Sequence, residues 1–291
     1  MGKVKRIAIL GCENSHADAF LKCIAEKQAF SDVEVIGAYS DDRGAAERLN
    51  ETFNVPILES YSETVGRIDG LVITARHGDN HYRYAKPYIE SGIPMFIDKP
   101  ITVREDEAVE FMSALKARGV RICGGSSLKQ DVFVQKLKRE REDNVGGKTV
   151  GGYVRAPYQS KNEYGGFYFY AQHLVEMVCE IFGRYPLSVT ARKNGSRIHV
   201  LFHYAEYDCV GLFCDENYTY YVSRMAENGT SSFDIPSTEE WFEREFSEFY
   251  RLLSGGRQSA TYQDVFAPVF IMNAIDRSLK SGREENVAYQ E

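Results

Sequence analysis

Across 291 residues there is no apolar run of the ~18 residues that a membrane-spanning helix needs, so no such span is predicted. The six cysteines, Cys12, Cys23, Cys123, Cys179, Cys209 and Cys214, form no C-x-x-C pair. A zinc site built from them is therefore not expected, and a chain this long needs no disulfide staples, so reduced thiols are the default. Positive charge is in deficit. Lysine and arginine total 35 against 42 acidic residues, a formal net charge of −7, which disfavours an electrostatic grip on nucleic acid or on an anionic membrane. The opening MGKVKRIAILG lacks the length and cleavage pattern of a signal peptide, and the expected location is cytoplasmic. Internal repeats, low-complexity tracts and long linkers are also missing. His199 and His203 fall on one face of a predicted strand and read as alternating exposed residues, so no metal is expected.

What remains is a globular chain with 43% apolar residues, enough for one large or two ordinary domains. The first 125 residues alternate short apolar runs with amphipathic helical stretches. Strands are predicted over 6–10, 33–39, 70–74, 94–97 and 120–123, each a near-continuous apolar run of the kind that helices cover on both faces. Helices are predicted over 17–28, 43–53, 81–91 and 104–117. That order gives a doubly wound, parallel Rossmann-type α/β sheet, whose ligands bind at the carboxyl ends of the strands. From about Gly146 the pattern becomes runs of strand, with helices early and late, which predicts an α+β half with an open, mostly antiparallel sheet. Ser237-Thr238-Glu239-Glu240 reads as a capping box before a helix carrying Phe242, Phe246, Phe249 and Leu253. The expected domains are 1–123 and 124–291.

The segments after the strands carry the candidate chemistry. A dinucleotide fingerprint G-x-G-x-x-G uses its glycines for a tight turn, close pyrophosphate approach and helix packing. Here those positions hold Gly11, Glu13 and His16. Glu13 places a carboxylate where a pyrophosphate would be repelled, unless it points away or holds another group. The helix mouth still favours an anion through its open N–H groups, and Asn14, Ser15 and His16 add donors; Asn14 or Ser15 equally suits a helix cap. After the second strand, Asp41 or Asp42 suits an NAD ribose, whereas Ser40 with Arg43 suits a 2′-phosphate. Phe96-Ile97-Asp98-Lys99-Pro100 puts an amine at the ligand edge. In the second half an apolar helix carries His173 and Glu176 at i and i+3, a spacing that lets the acid orient the imidazole.

Gly11 after the first strand, Asp98-Lys99-Pro100 after a later one, and Gly165-Gly166 followed by His173 on a helix together resemble the Gfo/Idh/MocA oxidoreductases, over nearly the whole chain. The resemblance implies a cofactor, NAD or NADP, and a sugar, cyclitol or related polyol substrate. It implies that Lys99, in a variant of the family's Glu-Lys-Pro motif, touches substrate and nicotinamide ribose. His173 would be the general base and Glu176 its orienting acid, while Phe169 stands where the family has an earlier acid. The Ala75-Arg76-His77 loop and His81 fall at the nicotinamide side, and Asp98 with Lys99 completes the expected cofactor set. Tyr158, Tyr164 and Tyr170 are expected polyol contacts, because a phenol offers an apolar face and a hydrogen bond. A homo-oligomer through the C-terminal sheet is expected, with residues 202–204 and 218–221 as its face. The alternatives are a non-catalytic dinucleotide or sugar sensor of this fold, and an NAD-dependent glycosidase.

Overall fold

The computed structural model describes residues 3–290. Its first part runs β1 (Lys5–Leu10), α1 (Ser15–Glu26), β2 (Val33–Tyr39), α2 (Arg43–Phe53), β3 (Gly70–Ile73), α3 (Asp79–Ala85), β4 (Met95–Asp98), α4 (Glu105–Arg118) and β5 (Ile122–Gly125). Then follow α5 (Val132–Glu142), β6 (Thr149–Tyr158), α6 (Tyr168–Phe182), β7 (Ser188–Asn194), β8 (Arg197–His203), β9 (Asp208–Asp215), β10 (Tyr220–Ala226), β11 (Gly229–Ile235), α7 (Glu240–Leu253), α8 (Tyr262–Ser281) and β12 (Glu284–Asn286). No helix among the described residues is long and apolar enough to cross a membrane.

The chain divides into two units. Unit one takes in residues up to Thr102, Asp106–Gly125 and Glu239–Val265; unit two takes in Val103–Glu105, Ser126–Thr238 and the chain from Phe266 on. The sequence reading drew a single boundary between 123 and 124, whereas the observed division returns the segment bearing α7 to unit one.

In unit one, five parallel strands lie in the order β2-β1-β3-β4-β5. Residues 7–10, 70–73 and 95–98 are buried without interruption, as expected where helices cover both faces of a parallel sheet. Ile9, Val72 and Phe96 from the sheet join Phe20 of α1 with Phe246, Phe249 and Leu252 of α7 in one core. The Phe20 ring stands 4.9 Å from that of Phe96 and 5.2 Å from that of Phe246. This contact explains the boundary: the 3.6-residue spacing of the α7 phenylalanines announces an apolar face but not which sheet receives it.

Three local expectations change. The fifth strand starts two residues late and ends on Gly124-Gly125, paired with Ile97 and Asp98. A Cβ on Gly124 would stand 1.9 Å from the Ile97 carbonyl oxygen, so these glycines permit a strand approach that their low strand propensity conceals. The helix expected over 81–91 is α3 followed by a 3₁₀ segment over 86–91. Pro87 lacks an N–H and crowds the carbonyl four residues back, so the α-helix stops there. The capping box does not form either, since α7 starts at Glu240 behind an N-cap Glu239 that makes no side-chain capping bond.

Unit two holds a seven-stranded sheet in the order β11-β10-β6-β9-β8-β7-β12. It is antiparallel apart from the β6–β9 pair. Burial alternates along the strands: Val154, Val200, Phe202 and Phe213 are buried, whereas Tyr153, Arg155, Leu201 and Leu212 lie on the more open face. Phe202 thus faces the core, not the surface proposed from sequence. The buried helix α6 covers the inner face against β6 and β9.

Candidate active site

In unit one, the turn after β1 keeps the first requirement of a dinucleotide cradle. Gly11 has φ +75°, and a Cβ there would stand 2.5 Å from the Ala75 backbone, so only glycine allows the β1 turn to lie against the end of β3. Asn14 caps α1, its side-chain oxygen accepting the His16 N–H at 2.7 Å. Ser15 stays exposed at the helix mouth.

The two fingerprint departures are each held by the protein. The Glu13 carboxylate accepts the Ser40 hydroxyl at 2.8 Å on one oxygen and the Arg76 N–H at 2.9 Å on the other. It therefore ties the loops after β2 and β3 to the turn after β1, held in place by one donor on each oxygen. His16 turns inward, only 5% exposed. Its Nδ1 lies 3.3 Å from Asp98 and its Nε2 3.4 Å from Glu245, with the Phe242 ring 4.9 Å away edge-on. Burial opposes a charged imidazole, but the Asp98 and Glu245 carboxylates outweigh it and hold His16 above its ordinary value. The residue expected among the cofactor contacts thus sits inside an ionic cluster of unit one.

Asp98 is fully buried. One oxygen accepts the Lys99 N–H at 2.7 Å and the other the Asn14 amide at 2.9 Å. Lys99 is also buried, and that burial lowers its ammonium pKa although Asp98 and Glu245 pull the other way. A buried amine near carboxylates at the carboxyl end of β4 is well suited to answer a negative charge that develops on a ligand.

The remaining expected cofactor residues of this unit spread out. His81 is fully buried; its Nε2 lies 2.8 Å from the Ala75 carbonyl and its Nδ1 3.3 Å from that of Ile101. Burial, outweighing Asp98, depresses its pKa, so it is a neutral strut joining the β3 loop to the segment after β4. His77 accepts the Asp79 N–H at 3.3 Å at the start of α3. Asp41 takes the Tyr39 hydroxyl at 2.8 Å and pairs with Arg83, while Arg43 pairs with Glu47 at 3.2 Å and Glu59 at 3.3 Å.

In unit two, α6 presents His173 and Glu176, both buried. The His173 Nδ1 lies 2.6 Å from the Ser126 hydroxyl. Glu176 accepts the Ser126 N–H at 3.0 Å and the Gln172 amide, and pairs with Lys129 at 3.6 Å. The group set against Nδ1 is therefore Ser126, and Glu176 acts one step back by holding the Ser126 backbone. Burial raises the Glu176 carboxyl against the opposing pull of Lys129, Gln172 and the Ser126 N–H. Among the expected polyol contacts, Tyr170 stands 5.2 Å from the His173 ring, and Tyr164 lies 5.2 Å from Phe169. Tyr158 is buried between Phe167 and Phe213, its hydroxyl without a hydrogen-bond partner among the described residues.

Sequence reasoning gave no role to Ser126, Lys129, Gln172 or Glu245 in these arrangements, although 124–129 follow a predicted strand at the edge where a doubly wound sheet meets its ligands. Glu245 also had a readable signal: it falls three residues after Phe242 and four before Phe249, on the apolar face of α7, where a carboxylate demands a partner.

Comparison with known proteins bears on the first part of the chain. Residues 5–126 match the family model GFO_IDH_MocA, described as an oxidoreductase family with an NAD-binding Rossmann fold. An uncharacterised oxidoreductase of Escherichia coli K12, YhhX, is 26% identical over 122 residues. That match takes in 39% of this chain and only about a third, 35%, of the relative's own length. A putative myo-inositol dehydrogenase from Sinorhizobium meliloti 1021 has the same fold, with a TM-score of 0.84 at 16% identity over 98% of this chain and 100% of that one. So does a scyllo-inositol dehydrogenase from Lactobacillus casei solved with bound NAD(H) and scyllo-inositol, with a TM-score of 0.83 at 14% identity over 98% and 99% of the two chains.

Residues 5–126 fit the NAD that the matching family model describes. The glycine at the β1 turn, the exposed mouth of α1 and a Glu13 carboxylate tied to Ser40 and the Arg76 N–H leave a helix terminus suited to a diphosphate.

Proposed function

We propose that the chain is an NAD(P)-dependent dehydrogenase acting on a carbinol carbon of a sugar, cyclitol or related polyol. The observation that carries this reading is the buried Asp98-Lys99 pair at the end of β4 in a Gfo/Idh/MocA domain: an amine kept out of water at a ligand edge has a role in chemistry more readily than in stability. The named relatives that act on inositols point to the substrate class.

NAD would be held by the turn at Gly11, the amides at the mouth of α1 with Asn14 and Ser15, the end of β2 at Ser40, and the Ala75-Arg76 loop. Bound nicotinamide supplies the hydride acceptor, which is the cofactor's own chemistry. The protein must take the hydroxyl proton and steady the oxygen as the carbonyl forms. With Ser126 against Nδ1, His173 offers Nε2 as the acceptor of that proton, and Lys99 supplies the positive charge. Tyr170, beside the imidazole, offers an apolar face and a hydroxyl to the polyol.

One observation favours the sensor as a second reading: Phe169, where the family resemblance expects an acid, is buried, tilted against Tyr164 and edge-on to Tyr170. Mixing the protein with NAD and a panel of inositols, hexoses and keto-sugars, and following reduced nicotinamide, separates the readings. Turnover on any member supports the dehydrogenase. Tight binding without turnover supports the sensor, and glycoside cleavage with no net change in cofactor supports the glycosidase. Assembly through the open face of the second sheet, with Tyr153, Arg155, Leu201 and Leu212, belongs to the same proposal; only monomer in sedimentation at micromolar concentration contradicts it.

A further inference from the structure

Resting on the NAD-binding reading above, we propose that Glu13, delivered from the turn after β1, reads the adenosine ribose in place of an acid on β2, and that the site thereby selects NAD over NADP. In a doubly wound fold the end of the second strand meets this ribose. A carboxylate there accepts the 2′-hydroxyl of NAD, and an arginine there accommodates the 2′-phosphate of NADP. The residue at that place is Ser40, buried and committed on both sides: its hydroxyl donates to Glu13 at 2.8 Å, and its oxygen accepts the Asp42 N–H at 3.1 Å.

The carboxylate at the end of β2 thus comes from elsewhere in the chain. Ser40 and the Arg76 N–H fix Glu13 with one hydrogen bond to each oxygen, and a carboxylate with about four acceptor positions keeps capacity for a ribose hydroxyl. The acids that sequence offered for this task are otherwise engaged or outward. Asp41 holds the Tyr39 hydroxyl and Arg83, and Asp42 is exposed. At the end of β2 and on α3, Arg43 pairs with Glu47 and Glu59, and Arg83 with Asp41. A 2′-phosphate, carrying up to about two negative charges, would meet the Glu13 carboxylate there.

Calorimetric titration of the full chain with NADH and with NADPH tests this without any turnover. The expected result is binding of NADH at least about tenfold tighter, the scale of one unit charge facing a phosphate dianion ~6 Å away in a water-like medium. Glu13→Gln keeps an acceptor for Ser40 and removes the charge, so the ratio should narrow by a similar factor, chiefly through tighter NADPH. Equal binding of both dinucleotides by the unaltered chain, or an unchanged ratio in Glu13→Gln, overturns the assignment of Glu13 and leaves the dehydrogenase standing. Binding of neither dinucleotide overturns the dehydrogenase reading and this assignment with it. Should Glu13→Gln fail to fold, the ratio in the unaltered chain decides alone.

Discussion

His16 in unit one and His173 in unit two are equally sheltered, at 5% and 7% exposure, yet their neighbours fit them for opposite tasks. His16 lies between two carboxylates, Asp98 and Glu245, from the end of β4 and from α7. Such a ring joins elements, and the two carboxylates favour its protonated form. His173 meets a hydroxyl at Nδ1, and the carboxylate beside it, Glu176, is spent on Ser126, Gln172 and Lys129. On the proposed reading, such a ring takes and returns the substrate's proton. Burial of a histidine therefore says little about its role, whereas the charge of what it touches says a great deal.

The sharpest way to break this contrast is to remove each ring or its partner. His173→Ala should lower turnover on the best substrate of the panel by about 10² to 10⁴, the range for a lost general base, while NAD affinity stays within a few-fold; steady-state kinetics with calorimetry checks both, and undiminished turnover removes His173 from the mechanism. Asp98→Ala leaves Lys99, His16 and the Asn14 amide facing an uncompensated site, and should cost about 3–5 kcal/mol of stability in denaturant unfolding, the usual loss when one partner of a buried ion pair goes. A loss below about 1 kcal/mol, the range of exposed pairs, would mean that the cluster is solvated in practice.

Ser126→Ala should act on His173 by misplacing it. Turnover is expected to fall by about ten- to a hundredfold, less than in His173→Ala, with the pH midpoint of kcat displaced as well; a purely structural serine would leave that midpoint alone. The smallest effects concern pH and stability. The folded pKa of His16 is raised from 6.5, so its ion pairs contribute fully below that pH, and the contribution is lost as pH rises through the folded value. His81 is shifted the other way, so its neutral form contributes fully above 6.5 and loses that contribution as pH falls toward the folded value. Imidazole NMR titrations, with denaturant midpoints of His16→Asn and His81→Gln against pH, should show the two trends with opposite sign.

The parallel sheet was legible because each of its strands is an unbroken apolar run, and the second sheet because polar and apolar residues alternate along it. The return of α7 to unit one was not legible, since Phe246 and Phe249 state that a face is buried without stating where. The segment bearing α5 gave no strong apolar period, and its start is set locally by Asp131, whose carboxylate accepts the Phe133 N–H at 2.8 Å. Strand ends located Gly11, Glu13, Asp98 and Lys99 at the carboxyl edge of the first sheet, the edge where ligands meet a doubly wound sheet. Partner choice was the illegible part. Spacing on α6 put Glu176 beside His173, but Ser126, which follows β5, came between carboxylate and ring, and no local pattern foretells a residue 47 positions away.

The central claim is that this chain moves a hydride from a carbinol carbon to nicotinamide, and isotope transfer tests it most directly. Incubate the protein with NAD and each panel polyol deuterated at its carbinol carbons, then measure the mass of the dinucleotide. The account predicts deuterium in the reduced nicotinamide for at least one polyol and none with His173→Ala. Bound NAD that stays unlabelled across every polyol, with all the deuterium left in the sugar, would contradict it.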